Sequence, residues 1–387
     1  MQLLVELFDD HEIMHNLFAP HGFRPEAVAF LTDPEEDGDQ AKKICAALRK
    51  RYPWMDVFVC PVCYTDFSSI QAALSALYAL YPRPVFELSG GNGIARILAE
   101  RFCAEHDLPR YYVNYETRRF FDLGGACSYF AEFAPPKLRL EDLAWANGAG
   151  ISGGMHSAPP ERWHGAILTY FRKTLETAQG WGEFSRYLQE VTHRSPEHGR
   201  DSLWVNAPRD PKPGRKNLRF HEKLALEAER LGFLEKLKIK EDRVSFRYAD
   251  PDIRNYMTTQ GSFLEMFMYI LARRTGRFSD CRMSVVLDWD GELTEKGNVV
   301  NEIDVVLMDG INPLFISCKT SLPSADDLNE IFLYSRRFGG SHARTALITT
   351  TPEHRIPSML WRRAEEMDIG LVTRESLTQR KILELLE

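Results

Sequence analysis

The sequence predicts an α/β protein in three parts. These are a Rossmann-like N-terminal domain over residues 1–150, a linker and winged-helix-like segment over 151–255, and a mixed α/β domain over 256–387. Three observations carry this. Short apolar runs alternate with helix-period segments through residues 3–115, the signature of a parallel sheet covered on both faces. Pro135-Pro136, Gly148 to Gly154 and Pro159-Pro160 then mark a change of composition. From Gly261 onward a long apolar helix is followed by three strand-like runs in succession, which a parallel sheet does not give. The length of 387 residues, at about 150 per domain, also suggests two or three domains.

In the first part, strands are expected at Leu3–Phe8, Ala27–Thr32, Asp56–Cys60, Val85–Ser89 and Arg110–Tyr115. Helices are expected at Ala41–Lys50, at Phe67–Leu80 and after Gly93, where Ile94, Ile97, Leu98 and Phe102 recur. In the middle part, Phe220–Leu231 reads as a helix, followed by Gly232-Phe233-Leu234 and a strand at Val244–Tyr248. The third part reads as a helix at Ser262–Arg274 and strands at Met283–Trp289, Ile303–Met308 and Leu314–Cys318. A helix at Ala325–Phe338 and a strand at Ala343–Thr349 complete it.

Composition removes several function classes. Net charge is −7, so the chain is no polycation, and nucleic acid can meet it only through local basic patches. No window approaches the ~18 apolar residues of a membrane helix, and no secretory signal is visible at Met1–Glu6. Seven scattered cysteines fit a reducing compartment, so a cytoplasmic protein without a membrane partner is expected. Cys60-Pro61-Val62-Cys63 has no second pair, and core packing of Cys60 is the expectation there.

One segment breaks the apolar pattern in a way that suits chemistry. Asn301-Glu302-Ile303-Asp304 and Ser317-Cys318-Lys319 flank the hairpin signal Asp309-Gly310. If residue 308 pairs with 313, Asp304 stands opposite Ser317 and Glu302 opposite Lys319; a shorter turn is expected to shift the register by two. Either way Glu302, Asp304, Ser317 and Lys319 share one face. Two carboxylates and an ammonium group suit metal-assisted phosphodiester hydrolysis with Mg or Mn, both of which take oxygen ligands. The plain alternative is a solvated salt bridge.

The order Gly261-Ser262-Phe263-Leu264-Glu265, Asn301-Glu302-Ile303-Asp304, Ser317-Cys318-Lys319 and Gly339-Gly340 resembles the PD-(D/E)XK nuclease superfamily. In particular it is similar to the type III CRISPR ancillary nucleases of the Card/Can type. Those join an N-terminal CARF sensor domain to a restriction-endonuclease-like domain and are switched on by cyclic oligoadenylate. The resemblance implies that Asp304 holds the metal, that Lys319 is the catalytic lysine and that Glu265 is a further acidic ligand. Ser317 stands where the family carries an acid, and Glu302 is the neighbour best placed to compensate. Glu265 could instead close a capping box with Ser262.

The resemblance also gives Ser89-Gly90-Gly91-Asn92-Gly93 the part of a cyclic-oligoadenylate loop, between an apolar strand and a helix start that favours anions. Gly93 replaces a lysine common in the family. Asp10, His11 and Asn16 after the first strand, and Thr32 and Asp33 after the second, lie on the same carboxyl edge, where open α/β sheets bind ligands. A symmetric activator such as cyclic tetra-adenylate implies a homodimer with one shared pocket. Basic clusters at Arg209–Arg219, Arg273-Arg274 with Arg277, Arg336-Arg337 and Arg362-Arg363 are candidate DNA or RNA contacts. The implied activity is that of a cyclic tetra-adenylate-activated, metal-dependent endonuclease in antiviral defence. A ligand-sensing regulator that binds nucleic acid without cutting it is the alternative.

Overall fold

The computed structural model describes residues 2–114, 119–124, 129–132, 137–152, 157–194, 203–211, 218–288 and 300–386. The Pro135-Pro136 pair, Trp289 and the middle of the 209–219 basic run lie outside the described residues.

The N-terminal part contains, in chain order, β1 (Leu3–Leu7), α1 (His15–Phe23), β2 (Ala27–Thr32), α2 (Gly38–Arg51), β3 (Asp56–Pro61) and α3 (Phe67–Leu80). β4 (Val85–Glu87), α4 (Gly93–Glu105), β5 (Arg110–Asn114), β6 (Arg119–Asp122) and β7 (Tyr129–Glu132) follow. The sheet order is β3-β2-β1-β4-β5-β6-β7. β1 to β5 run parallel, and β6 and β7 add an antiparallel edge that the sequence did not announce. The five expected strands are all present. α4 departs from expectation in its facing. Ala95, Ala99 and Cys103 meet the sheet, while Ile94 and Ile97 are exposed, Ile97 at 69%.

α5 (Leu140–Ala146) and β8 (Gly150–Ser152) lead into the middle part: α6 (Glu161–Glu176), α7 (Ala178–Arg194), β9 (Trp204–Pro208), α8 (Glu222–Arg230), β10 (Leu234–Ile239), β11 (Arg243–Tyr248) and α9 (Pro251–Thr258). Its helices and the antiparallel sheet β10-β11-β9 fit the winged-helix-like reading. The C-terminal part has α10 (Ser262–Thr275), β12 (Asp280–Asp288), β13 (Val300–Asp309), β14 (Asn312–Lys319), α11 (Ala325–Gly339), β15 (Arg344–Thr349), α12 (Ser358–Glu366), β16 (Ile369–Val372) and α13 (Gln379–Leu386). Its sheet is ordered β16-β15-β14-β13-β12-β8. β8, from the end of the first expected part, is therefore an edge strand of the third part's sheet, antiparallel to β12.

Three apolar cores hold these layers. One lies beneath α3 and α4. A second joins α1 and α2 to α5, α11 and one face of the C-terminal sheet. The third runs from Ile167 to Leu386 and joins the middle helices to α10 and the sheet's other face.

At the centre of the first sheet, Glu6 on β1 sits beside Glu87 on β4, and both are buried. Burial, then repulsion from Glu87, pushes the Glu6 carboxyl well above its usual pKa, and burial pushes that of Glu87 to about 7. A raised acid contributes stability fully present below its unfolded pKa and lost as pH rises through its folded pKa. Ionising Glu87 in the folded state thus costs about 3 kcal/mol at pH 8. Glu87→Gln retains an acceptor for Ser89 N–H and hydroxyl. It should therefore raise the urea midpoint at pH 8 and leave it nearly unchanged at pH 5. Equal effects at the two pH values would remove the ionisation cost.

Candidate active site

The hairpin between β13 and β14 closes on a two-residue turn, Gly310-Ile311, with Asp309 paired to Asn312. The two-residue shift expected for a short turn does not occur: the turn adds one rung beyond Met308–Pro313, and that pairing is kept. The paired ladder runs to Val305–Ile316. Beyond it the Asp304 carboxylate takes the place of a backbone acceptor: its Oδ2 accepts from Cys318 N–H at 2.6 Å and from the Ser317 hydroxyl at 3.4 Å.

A second irregularity lies on the other flank of β13. Ser284, between Met283 and Val285, has φ of +50°, where a non-glycine backbone is strained. Met283 and Val305 belong to one core, whereas Val285 and Ile303, two residues away on each strand, belong to the other. The alternation of faces thus breaks at Ser284 and Asp304, which lets Asp304 lie between the two layers. Glu302, Asp304, Ser317 and Lys319 line one groove with Asp327 and Glu330 of α11.

Glu265 reaches the same group from α10. The capping box does not form: the N-cap is Gly261, so Ser262 is already the first helical residue and its buried hydroxyl has no hydrogen-bond partner. Glu265 is buried and accepts from the Ser284 hydroxyl at 3.3 Å. Burial, then the charges of Asp304 and Glu302, push its carboxyl up to about 8. Asp304 is pushed to about 6 by burial and by Glu302, against the opposing pull of Cys318 N–H and Lys319. Lys319 Nζ meets Asp327 Oδ1 at 2.8 Å. Burial disfavours its charge, yet Asp327, Asp304 and Glu330 together hold its pKa above the ordinary value. Asp327 is itself fixed by a reciprocal capping box with Ser324.

Three carboxyl groups meet here, and burial with the charges of neighbouring carboxylates holds Glu265 and Asp304 above their usual pKa, a cost that a cation relieves. Their ligand atoms do not all lie within 4.8 Å of one another; among the described residues that closeness occurs at Glu12, His15 and His342. The acid groove therefore suits a hydrated ion such as Mg, which is held by one or two carboxylates and keeps several waters.

At the other candidate site, Gly91 has φ of +74° and a Cβ there would press on Leu7, so the glycine serves the close approach of the loop to β1. Asn92 caps α4, accepting from Ile94 N–H at 2.9 Å. Asn16 is buried and both ends of its amide bind the loop backbone, at Asp9 N–H and at the carbonyls of Asp9 and Ile13. Thr32 is buried with its hydroxyl on Asp37, and Asp33 accepts from Tyr64 N–H. These three side chains shape the rim rather than face outward. Asp10 and His11 are exposed on it, as is Gly93, and Ser89, Gly91 and Asn92 are half-buried. Gly90 is buried against Asp9 and Leu7.

Sequence reasoning missed Ser284, Asp327 and Glu330. The first was legible only as a polar residue inside an apolar strand, the second as the third helical residue of a capping box. It also missed Arg96, on the first turn of α4, which donates to Gly91 O at 3.2 Å and has a buried Nε without a partner. Arg96 puts near the loop the cation that Gly93 lacks. Single members of two basic clusters have partners within the chain: Arg277 pairs with Asp309 at 2.7 Å and Arg363 donates to Asn329.

Residues 253–384 match the family model described as the Card1-like endonuclease domain. The matched segment is 132 of the 387 residues. It contains α10, the β13–β14 hairpin and α11, and hence all of the acid groove. Solved structures extend the likeness of fold to the rest of the chain. The crystal structure of protein VC1899 from Vibrio cholerae covers 100% of this chain and 97% of its own, with a TM-score of 0.78 at 17% identity. Can2 from Sulfobacillus thermosulfidooxidans, in complex with cyclic tetra-adenylate, covers 100% of both chains with a TM-score of 0.72 at 14% identity. A type III CRISPR defence DNA nuclease activated by cyclic oligoadenylate covers 94% of this chain and 51% of its own, with a TM-score of 0.51 at 16% identity. No curated protein matches the chain. The expected fold class, a Rossmann-like sensor fold followed by an endonuclease fold, is borne out.

Proposed function

We propose that this chain is a nuclease switched on by cyclic tetra-adenylate and dependent on Mg or Mn, which cleaves DNA or RNA as a cytoplasmic homodimer. The observation that carries this is the acid groove, with its lysine, inside the endonuclease domain. Asp304, Glu302 and Glu265 would hold the metal. A bound divalent ion polarises the phosphoryl oxygen and lowers the pKa of its water. The rest is the work of the chain. Cys318 N–H fixes the orientation of Asp304. Asp327 holds the Lys319 ammonium at the groove, where it meets charge developing on a phosphate. Ser317 offers a hydroxyl, not a charge, where the family carries an acid, and leaves Glu302 to complete the ligand set.

Beyond the end of β14 a cleft of about 750 Å³ opens, lined by Thr320, Thr350, Arg355 and Arg374 among others, and it offers a path for a phosphate backbone away from Lys319. On the sensor side, Ile94 and Ile97 of α4 and Tyr78 and Leu80 of α3 are exposed apolar residues. They suit burial against a second copy, which would present each rim twice to a symmetric activator.

The test is cleavage of end-labelled single-stranded DNA, duplex DNA and RNA with Mg or Mn, with and without cyclic tetra-adenylate. Cleavage is expected only when ion and activator are both present. An equal rate without the activator removes the switch. Retained nucleic-acid binding without cleavage of any substrate leaves a sensing regulator.

A further inference from the structure

The loop after β1 and the turn after α11 meet at a group of side chains that the nuclease reading does not use. His15 and His342 face each other with their Nε2 atoms 2.9 Å apart. Glu12 lies with them, so that one ligand atom from each of the three falls within 4.8 Å of the others. Glu12 is held in place by Ser341 N–H, at 3.1 and 3.2 Å from its two oxygens. His15 Nδ1 lies 3.1 Å from Asp9 Oδ2. A carboxylate there accepts the Nδ1 proton, fixes the tautomer and aims the Nε2 lone pair at His342. One proton must then sit between the two Nε2 atoms, and a metal ion can replace it.

The surroundings are built for this closeness. Asp9 Oδ1 accepts from the N–H groups of His11 and Glu12, at 3.1 and 2.9 Å, so one carboxylate both shapes the loop and orients the imidazole. Gly340 has φ of +62°, and a Cβ on it would collide with the Glu12 carboxylate. Gly340 of the Gly339-Gly340 pair noted in the sequence thus has a local reason: it lets the C-terminal end of α11 come against the N-terminal loop, while Gly339 packs against Pro313 and Ala343.

We propose that Glu12, His15 and His342 bind one divalent transition-metal ion of the zinc class, which staples the loop after β1 to the endonuclease domain. Two imidazoles and a carboxylate are a zinc donor set with room for a fourth ligand, and an Asp behind a ligating His is the usual outer partner. The set differs in kind from the all-oxygen groove at Asp304, because imidazole nitrogen selects zinc-like ions over Mg.

The test titrates metal-free, full-length protein with Co as a visible stand-in for Zn, in excess Mg and in an Asp304→Asn background that weakens the groove for cations. One tight equivalent with the d–d spectrum of a nitrogen-containing, low-coordinate site is expected, and Zn should displace it. His15→Ala and His342→Gln should abolish it, the latter while keeping volume and a hydrogen-bonding group. Asp9→Asn should weaken it about 10–100-fold. Zn should raise the melting temperature of the parent and not of His342→Gln. No tight equivalent in the Asp304→Asn protein, or an unchanged spectrum and affinity in both histidine variants, overturns the proposal. Neither result bears on cleavage at Asp304, so the two readings fail separately.

Discussion

Asp304→Asn is expected to lower the rate of nucleic-acid cleavage by at least about 10²–10³-fold, the loss seen when a single oxyanion-hole donor is removed, because the ion that Asp304 would hold acts on the same developing charge. The substitution keeps shape and keeps an oxygen to accept Cys318 N–H, which the aspartate now holds at 2.6 Å. What it removes is the charge. That charge is buried and opposed by Glu302 and Glu265, so its loss should not weaken the fold. Activity should fall while the melting temperature stays or rises, a combination that misfolding cannot produce. Single-turnover cleavage with Mn and cyclic tetra-adenylate, beside a thermal melt of the same sample, measures both. Parental turnover in the variant would take the chemistry away from this groove.

The groove was legible because it breaks a pattern. Acids at Glu302 and Asp304 and a lysine at Lys319 interrupt strands that otherwise read as apolar, and Asp309-Gly310 fixes where the strands turn. What was not legible depends on partners distant in sequence. β8 is three residues long and exists as a strand because β12, more than a hundred residues later, pairs with it. The left-handed turn of Ser284 is set by two cores that pull its neighbours to opposite sides. The capping-box pattern at Ser262 and Glu265 failed by a one-residue shift of the helix start, below what residue preference resolves. Ile94 and Ile97 show a different limit. Apolar spacing says that a face will be covered, not whether its own sheet covers it.

Phe263→Ala tests whether the middle segment and the endonuclease domain are separate bodies. Phe263 is on α10, two residues before Glu265, and its ring lies 5.0 Å from Tyr170 of α6, 5.2 Å from Trp181 of α7 and 6.0 Å from Phe233. It is 1% exposed within the core that runs from Ile167 to Leu386. Removing such a ring costs about 3–5 kcal/mol, since the transfer energy is lost and the cavity is only partly filled. In a cooperative unit of about 200 residues this lowers the melting temperature by roughly 10 °C. The shared core means that the loss should appear in both segments at once. Fluorescence of Trp181, at the middle segment, and of Trp361, on α12, should report a single shifted transition when each is left as the sole emitter on its half of the chain. Two transitions, only the first of them shifted, would mean that the middle segment melts by itself and that α10 holds Glu265 without it. A single shifted transition has a consequence for activity: a movement transmitted through α6 and α7 would reach the acid groove through the helix that carries Glu265, with no flexible joint between.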